Sequence, residues 1–149
     1  MKKLVFYFLV IAVIGCDKDK VETVPSVSFK SFSTDVVPRQ SALRVTLEFT
    51  DQEGDVDSVF VSRQRVNSRG PQFNFVGFAV PETRGENRGE ITISMDYSLR
   101  LTSGLSALRI PGSNPSQNEP DTLQLKFRLK DRAGNYSDST APQRVIVIR

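Results

Sequence analysis

"LRVTLEFT", residues 43–50, sets Leu43, Val45, Leu47 and Phe49 against Arg44, Thr46, Glu48 and Thr50. Side chains of an extended chain point alternately to opposite faces, so hydropathy with a period of two means a strand with one buried and one wet face. A helix would need apolar residues three and four apart. The same alternation returns in Ile91, Ile93, Met95 and Tyr97, separated by Thr92, Ser94 and Asp96. It returns again in Leu123, Leu125, Phe127 and Leu129, separated by Gln124, Lys126 and Arg128. Weaker strand patterns fit 27–32, 57–66, 73–80 and 143–149, bounded by Pro, Gly, Asn and Asp. No segment beyond the N-terminal leader keeps helical spacing long enough to form a helix.

Seven short strands with close turns predict an all-β domain over residues 27–149, a seven-stranded antiparallel sandwich of the immunoglobulin or fibronectin kind. The inter-sheet disulfide and core tryptophan common in immunoglobulin domains are absent, because the chain has one Cys and no Trp. "PGSNPSQNEP", 111–120, reads as a surface excursion between the fifth and sixth strands. "RVIVIR", 144–149, is apolar on both faces and predicts a covered strand, or else an edge that adds a partner strand.

The N-terminus carries a different signal. Lys2 and Lys3 precede residues 4–14, which hold no charge, as in the basic and apolar parts of a secretory leader. Eleven helical residues at ~1.5 Å each reach only about half of the ~30 Å hydrocarbon layer, so the run is too short to span a membrane. The sole cysteine, Cys16, sits between this run and the charged "DKDK" of 17–20, with no second thiol to pair with.

Val13-Ile14-Gly15-Cys16 resembles the lipobox of bacterial lipoproteins. That resemblance implies a signal peptide over 1–15, a diacylglyceryl group on the Cys16 sulfur, cleavage after Gly15, acylation of the new amine and a tether over 16–26. More than one chain is needed for a stable anchor, since a single chain binds only marginally. Asp17 alone resembles the inner-membrane retention signal of enterobacterial lipoproteins. The acidic, lysine-containing run 17–20 also resembles surface-export signals of Bacteroidota lipoproteins, and the downstream domain favours that reading. The expected location is the bacterial outer membrane, lipid-anchored at the cell surface, with the periplasmic face as the alternative.

Removing residues 1–15 leaves 134 residues with 18 basic against 17 acidic side chains, since Lys2 and Lys3 go with the leader. So balanced a domain gives no electrostatic ground for nucleic-acid binding. The chain has no His, which removes the commonest general base and the usual zinc ligand. Paired carboxylates acting across a cleft, as in glycosidases, would need a separation of ~5–10 Å, and a domain of this size offers little cleft. A non-enzymatic role is expected.

Two loops concentrate carboxylates. "DQEGDVDS", 51–58, holds Asp51, Glu53, Asp55 and Asp57 around Gly54, and "KDRAGNYSDST", 130–140, holds Asp131, Asn135 and Asp138 around Gly134. Such oxygen donors suit Ca²⁺, although the spacing departs from an EF-hand at Val56 and Ser62. Solvated hairpin turns are the simpler account. Alternating strand direction brings the two loops to one pole, where the tether also enters.

The other pole is expected to gather Arg39, Arg65, Arg69, Arg100 and Arg109, whose guanidinium groups suit an extracellular protein or anionic glycan, or simply solubility. Tyr136 is the one exposed aromatic candidate for a sugar platform. The acidic loop and "D-x-A-G-N-x-S" together resemble bacterial immunoglobulin-like domains, including small Bacteroidota lipoproteins. That resemblance implies an adhesive, scaffolding or glycan-associated module, with a calcium-stabilised structural domain as the alternative.

Overall fold

The computed structural model describes residues 23–68, 73–80 and 85–149. The expected leader, Cys16, most of the tether and Arg69 lie outside the described residues. Within them the chain is all-β. The strands are β1 (Ser26–Phe32), β2 (Val36–Val37), β3 (Ala42–Thr50), β4 (Val56–Arg65), β5 (Phe73–Ala79), β6 (Arg88–Asp96), β7 (Leu108–Arg109), β8 (Asn118–Glu119), β9 (Asp121–Asp131) and β10 (Gln143–Val147).

Each of the seven expected segments contains a strand, but the described residues hold ten strands rather than seven. The additional β2, β7 and β8 are two residues each, too short to show any period. One five-residue π-helical turn, Tyr97–Leu101, follows β6, capped by the Asp96 carboxylate, which accepts from the Ser98 and Leu99 amides. Tyr97 therefore leaves the β6 stripe, and its hydroxyl donates to the Ile148 carbonyl at 2.7 Å.

Three sheets form: β1-β3-β6, β2-β10-β9-β4-β5 and the small β7-β8 pair. All pairings are antiparallel except β2 with β10, which is parallel and covers the outer edge of β10. The two larger sheets close over one core built from the predicted stripes of β3, β6 and β9, with Val59 and Val61 of β4 and Val145 and Val147 of β10. Phe127, fully buried, stacks on Phe29 of the facing sheet with ring centroids 6.4 Å apart. Ile146 turns outward and stays 40% exposed, so β10 is covered on one face only.

The inward stripe of β9 begins with Asp121 and ends with Asp131, both buried. Asp121 is fully enclosed, 2.8 Å from Nη2 of Arg65 and 3.3 Å from Nε of Arg149. Arg65 also donates to the Ser106 carbonyl, and Arg149 to the Leu105 carbonyl. Arg63, one inward position back on β4, donates to the carbonyls of Arg100 and Ser103 at 2.7 Å each, tying the π-turn to the sandwich. Burial, together with the nearby positive charge of Arg65, pulls the Arg63 pKa down to about 10.

At the other pole, Gly54 has φ +66°, and a Cβ there would lie 2.5 Å from the Gly85 backbone. Only glycine permits that close approach of two loops.

Removing one partner of a buried ion pair strands the rest without compensation, at about 3–5 kcal/mol. Asp121→Asn, nearly isosteric, should lower unfolding stability by about that amount in denaturant titration; a loss below about 1 kcal/mol would show that the arginine cluster does not depend on it.

Candidate functional site

The expected convergence of the two acidic loops is present. The Arg132 amide donates to the Asp55 carbonyl at 3.2 Å, and Thr23, at the described N-terminal end, donates to the Glu53 carboxylate from both its amide and its hydroxyl. Acidic loops and chain entry therefore share one pole.

Most of the carboxylates there are engaged. Asp51 Oδ2 accepts from the Asp55 amide at 2.8 Å, while Asp131 accepts from both the backbone and side-chain amides of Asn135. Asp57 accepts from the Ser58 hydroxyl, and Asp138 is exposed. Among the described residues no three Asp, Glu, Cys or His side chains converge as a metal site requires. Asp51 Oδ2 and Asp131 serve as turn acceptors, while the buried Asp51 Oδ1 has no hydrogen-bond partner among the described residues.

Burial pushes the Asp55 carboxyl above its ordinary value, reinforced by the Asp51 and Asp131 carboxylates. The Thr23 hydroxyl holds Glu53 below its own. A depression of about 280 Å³ beside this pole is lined by Thr23, Val24, Thr50, Asp51, Gln52 and Asn87, and so contains a single carboxylate.

Among the described residues, the candidate ligand-binding side chains are not brought together. Arg65 is buried and paired with Asp121. Arg109 is exposed on the β7–β8 hairpin, where it donates to Ser116, and Arg39 donates to the Arg149 carbonyl. Arg100 lies over the Phe78 ring at 4.6 Å. Tyr136 lies beside the far end of β9, whose ten-residue rise spans roughly 30 Å.

Tyr136 instead joins a group that the sequence analysis did not assemble, on the outer face of the five-stranded sheet. The Arg128 guanidinium is 4.2 Å from the Phe75 ring, 4.5 Å from the Tyr136 ring and 5.7 Å from the Phe60 ring. Phe60 and Tyr136 meet edge to face at 5.4 Å, and Lys130 Nζ stands 5.9 Å from the Tyr136 ring. Each close cation–ring contact contributes about 0.5–1 kcal/mol at a partly exposed site.

Local structure seats every member. β4 pairs with β9 so that Phe60 faces Arg128, and β5 pairs with β4 so that Phe60 faces Gly77. A Cβ on residue 77 would come within 3.2 Å of the Phe60 ring, so glycine leaves the ring its place on the sheet. Beyond the reach of β10, residues 136–140 run along β9. The Leu129 amide donates to the Ser137 hydroxyl and the Phe127 amide to the Thr140 hydroxyl. A bridge between Lys130 and Tyr136 then fixes the tyrosine beside Arg128.

The two outer faces differ in electrostatics. On the three-stranded sheet, Lys30 is paired with both Glu48 and Glu90. On the five-stranded sheet, Lys126, Arg128 and Lys130 occupy alternate positions of β9, with Arg144 exposed on β10. No ion pair joins Arg128 to a carboxylate among the described residues, and its buried Nε has no hydrogen-bond partner there. One face neutralises itself, while the other offers rings and cations to solvent.

No family model and no curated protein matches the chain. Among solved structures, it is similar to the sporulation control protein Spo0M of Bacillus subtilis (TM-score 0.44, 12% identity, 85% of this chain and 50% of that one). It is also similar to a β-glucosidase from Listeria innocua (TM-score 0.44, 11% identity, 83% of this chain and 16% of that one). A third is a Niemann-Pick type C2 protein from the Japanese carpenter ant (TM-score 0.39, 13% identity, 88% of this chain and 96% of that one). The chain thus spans half of the sporulation protein and a small part of the glucosidase, and likeness this distant carries no functional argument.

Asp55 yields a pH test. Its folded pKa lies above the unfolded value near 3.8, so its charged form costs stability that is absent below that pH and grows as pH rises through the folded pKa. Asp55→Asn should melt with the wild type at pH 3 and above it at pH 7. A variant less stable at pH 7 would contradict the repulsion.

Proposed function

We propose that this protein is a lipid-anchored, non-enzymatic binding module that uses the outer face of its five-stranded sheet. The observation that carries the reading is the contrast between faces: Phe60, Phe75 and Tyr136 surround Arg128, which has no carboxylate partner among the described residues, on one, while Lys30 is matched by two glutamates on the other. Rings and cations left to solvent are the composition of a recognition surface.

The finer fold reading is immunoglobulin-like. What supports it is the split of the N-terminal strands, β1 pairing in the three-stranded sheet and β2 running parallel to β10 in the other, together with the order β10-β9-β4-β5. The non-enzymatic part is supported by the chain's lack of histidine, by carboxylates spent on turns, and by a depression with one carboxylate.

Anchoring rests on the lipobox resemblance around Cys16 and fits the entry of the chain at the acidic pole, beside Glu53. A tether from that pole, fixed at the outer membrane, leaves the sheet faces clear of the attachment point. The cell surface is the proposed side.

Charge reversal tests the face assignment. Lys126→Glu with Arg144→Glu should elute from a carboxymethyl matrix at lower salt than Lys30→Glu with Arg44→Glu, although both variants change net charge equally. The opposite order would contradict it. Cys16→Ser should abolish fatty-acid labelling and release the protein from the membrane fraction; label that survives the substitution would remove the anchor.

A further inference from the structure

Resting on the binding-module reading, we propose that the face around Arg128 recognises a carboxylate-bearing sugar of an extracellular polysaccharide. In this assignment Arg128 pairs with the carboxylate, and the Tyr136 ring takes the C–H face of the sugar.

Arg128 is the anchor because it is held by rings and has no carboxylate partner among the described residues. Phe75 and Tyr136 at 4.2 and 4.5 Å fix its plane, so little rotamer freedom remains to be lost on pairing. Its Nε is buried, which leaves the terminal Nη pair to meet a ligand end-on. A planar fork with two parallel donors matches a carboxylate bidentately.

The neighbours extend the match. Lys126 and Lys130 flank Arg128 at successive outward positions of β9, about 7 Å apart along the strand, and favour a polymer with repeated negative charge over a single anion. Tyr136 is 41% exposed beside that row. An aromatic face accepts the C–H groups of a pyranose, whose ring is itself flat and apolar on one side.

The backbone argues for sugar over an acidic peptide. Peptides that dock on sheets draw affinity from main-chain hydrogen bonds at an open edge. Arg128 and Phe60 lie on β9 and β4, interior strands of the sheet, while Phe75 lies on β5, its edge strand among the described residues. β4 is paired by β5 and β9, while β9 is paired by β4 on one side and by β10 and residues 136–140 on the other. At Arg128 and Phe60, recognition must come from rings and charged side chains.

The test is binding of the full-length chain, purified in detergent, to polygalacturonate, to the same polymer with its carboxyls reduced to alcohols, and to poly-glutamate. The expected result is binding to polygalacturonate that falls about tenfold or more in Arg128→Gln, the loss of a hydrogen-bonded charge pair, and by a smaller factor in Tyr136→Ala. The reduced polymer should not bind.

Absence of wild-type binding to polygalacturonate overturns the proposal, as does equal retention of the reduced polymer. Poly-glutamate bound as tightly, with the same sensitivity to Arg128→Gln, overturns the sugar assignment and leaves the binding face standing. Independence from Arg128 in every arm takes down both. If Arg128→Gln loses its native circular dichroism, Lys130→Gln combined with Tyr136→Ala, at the rim of the cluster, carries the same comparison.

Discussion

The pairing of β4 with β9 sets Val59 opposite Leu129, Phe60 opposite Arg128 and Val61 opposite Phe127. Because successive side chains point to opposite faces, that one register decides what lies inside and what lies outside at once. A slip of β9 by one residue against β4 would turn Arg128 inward and expose Leu129 and Phe127, which are fully buried in the observed register. The core therefore does more than stabilise the fold. By fixing Val59 and Val61 inward, it obliges Phe60 to stand outward against Arg128.

The same register continues past the apolar part of β4 and turns Arg63 and Arg65 inward. The sandwich accommodates them at one end because Asp121 starts the inward stripe of β9 and Arg149 reaches the same carboxylate. At the other end Asp131 closes the stripe and organises the loop that seats Tyr136, through Asn135 and the bridge to Lys130. The ring beside Arg128 is thus set by a turn whose acidic residues serve the fold.

Much of the fold was legible because the apolar stripes of β3, β6 and β9 repeat with a period of two, which no helix tolerates. The two-residue strands were not, since pairing of that length is dictated by neighbours and leaves no pattern. The expected proximity of the acidic loops followed from strand direction and is present. The arginine pole was harder to read: Arg65 and Arg109 look alike in sequence, yet one is buried on Asp121 and the other exposed on a hairpin. Asp121 follows Pro120 and precedes the apolar stripe that starts at Leu123, so spacing alone does not mark it as inward. The Arg128 cluster was missed because Phe60, Phe75, Arg128 and Tyr136 come from three strands and a connection, and only register unites them. An outward phenylalanine opposite Gly77 was the available clue.

The most direct test of the central claim is a backbone and arginine side-chain NMR titration with an acidic oligogalacturonide. The account predicts that the largest shift changes fall on Phe60, Phe75, Arg128, Lys130 and Tyr136, with the Arg128 Nε–H signal among them. Changes confined to Arg39 and Arg109, or to the loop of Asp51 and Asp55, would contradict it and move recognition to a pole.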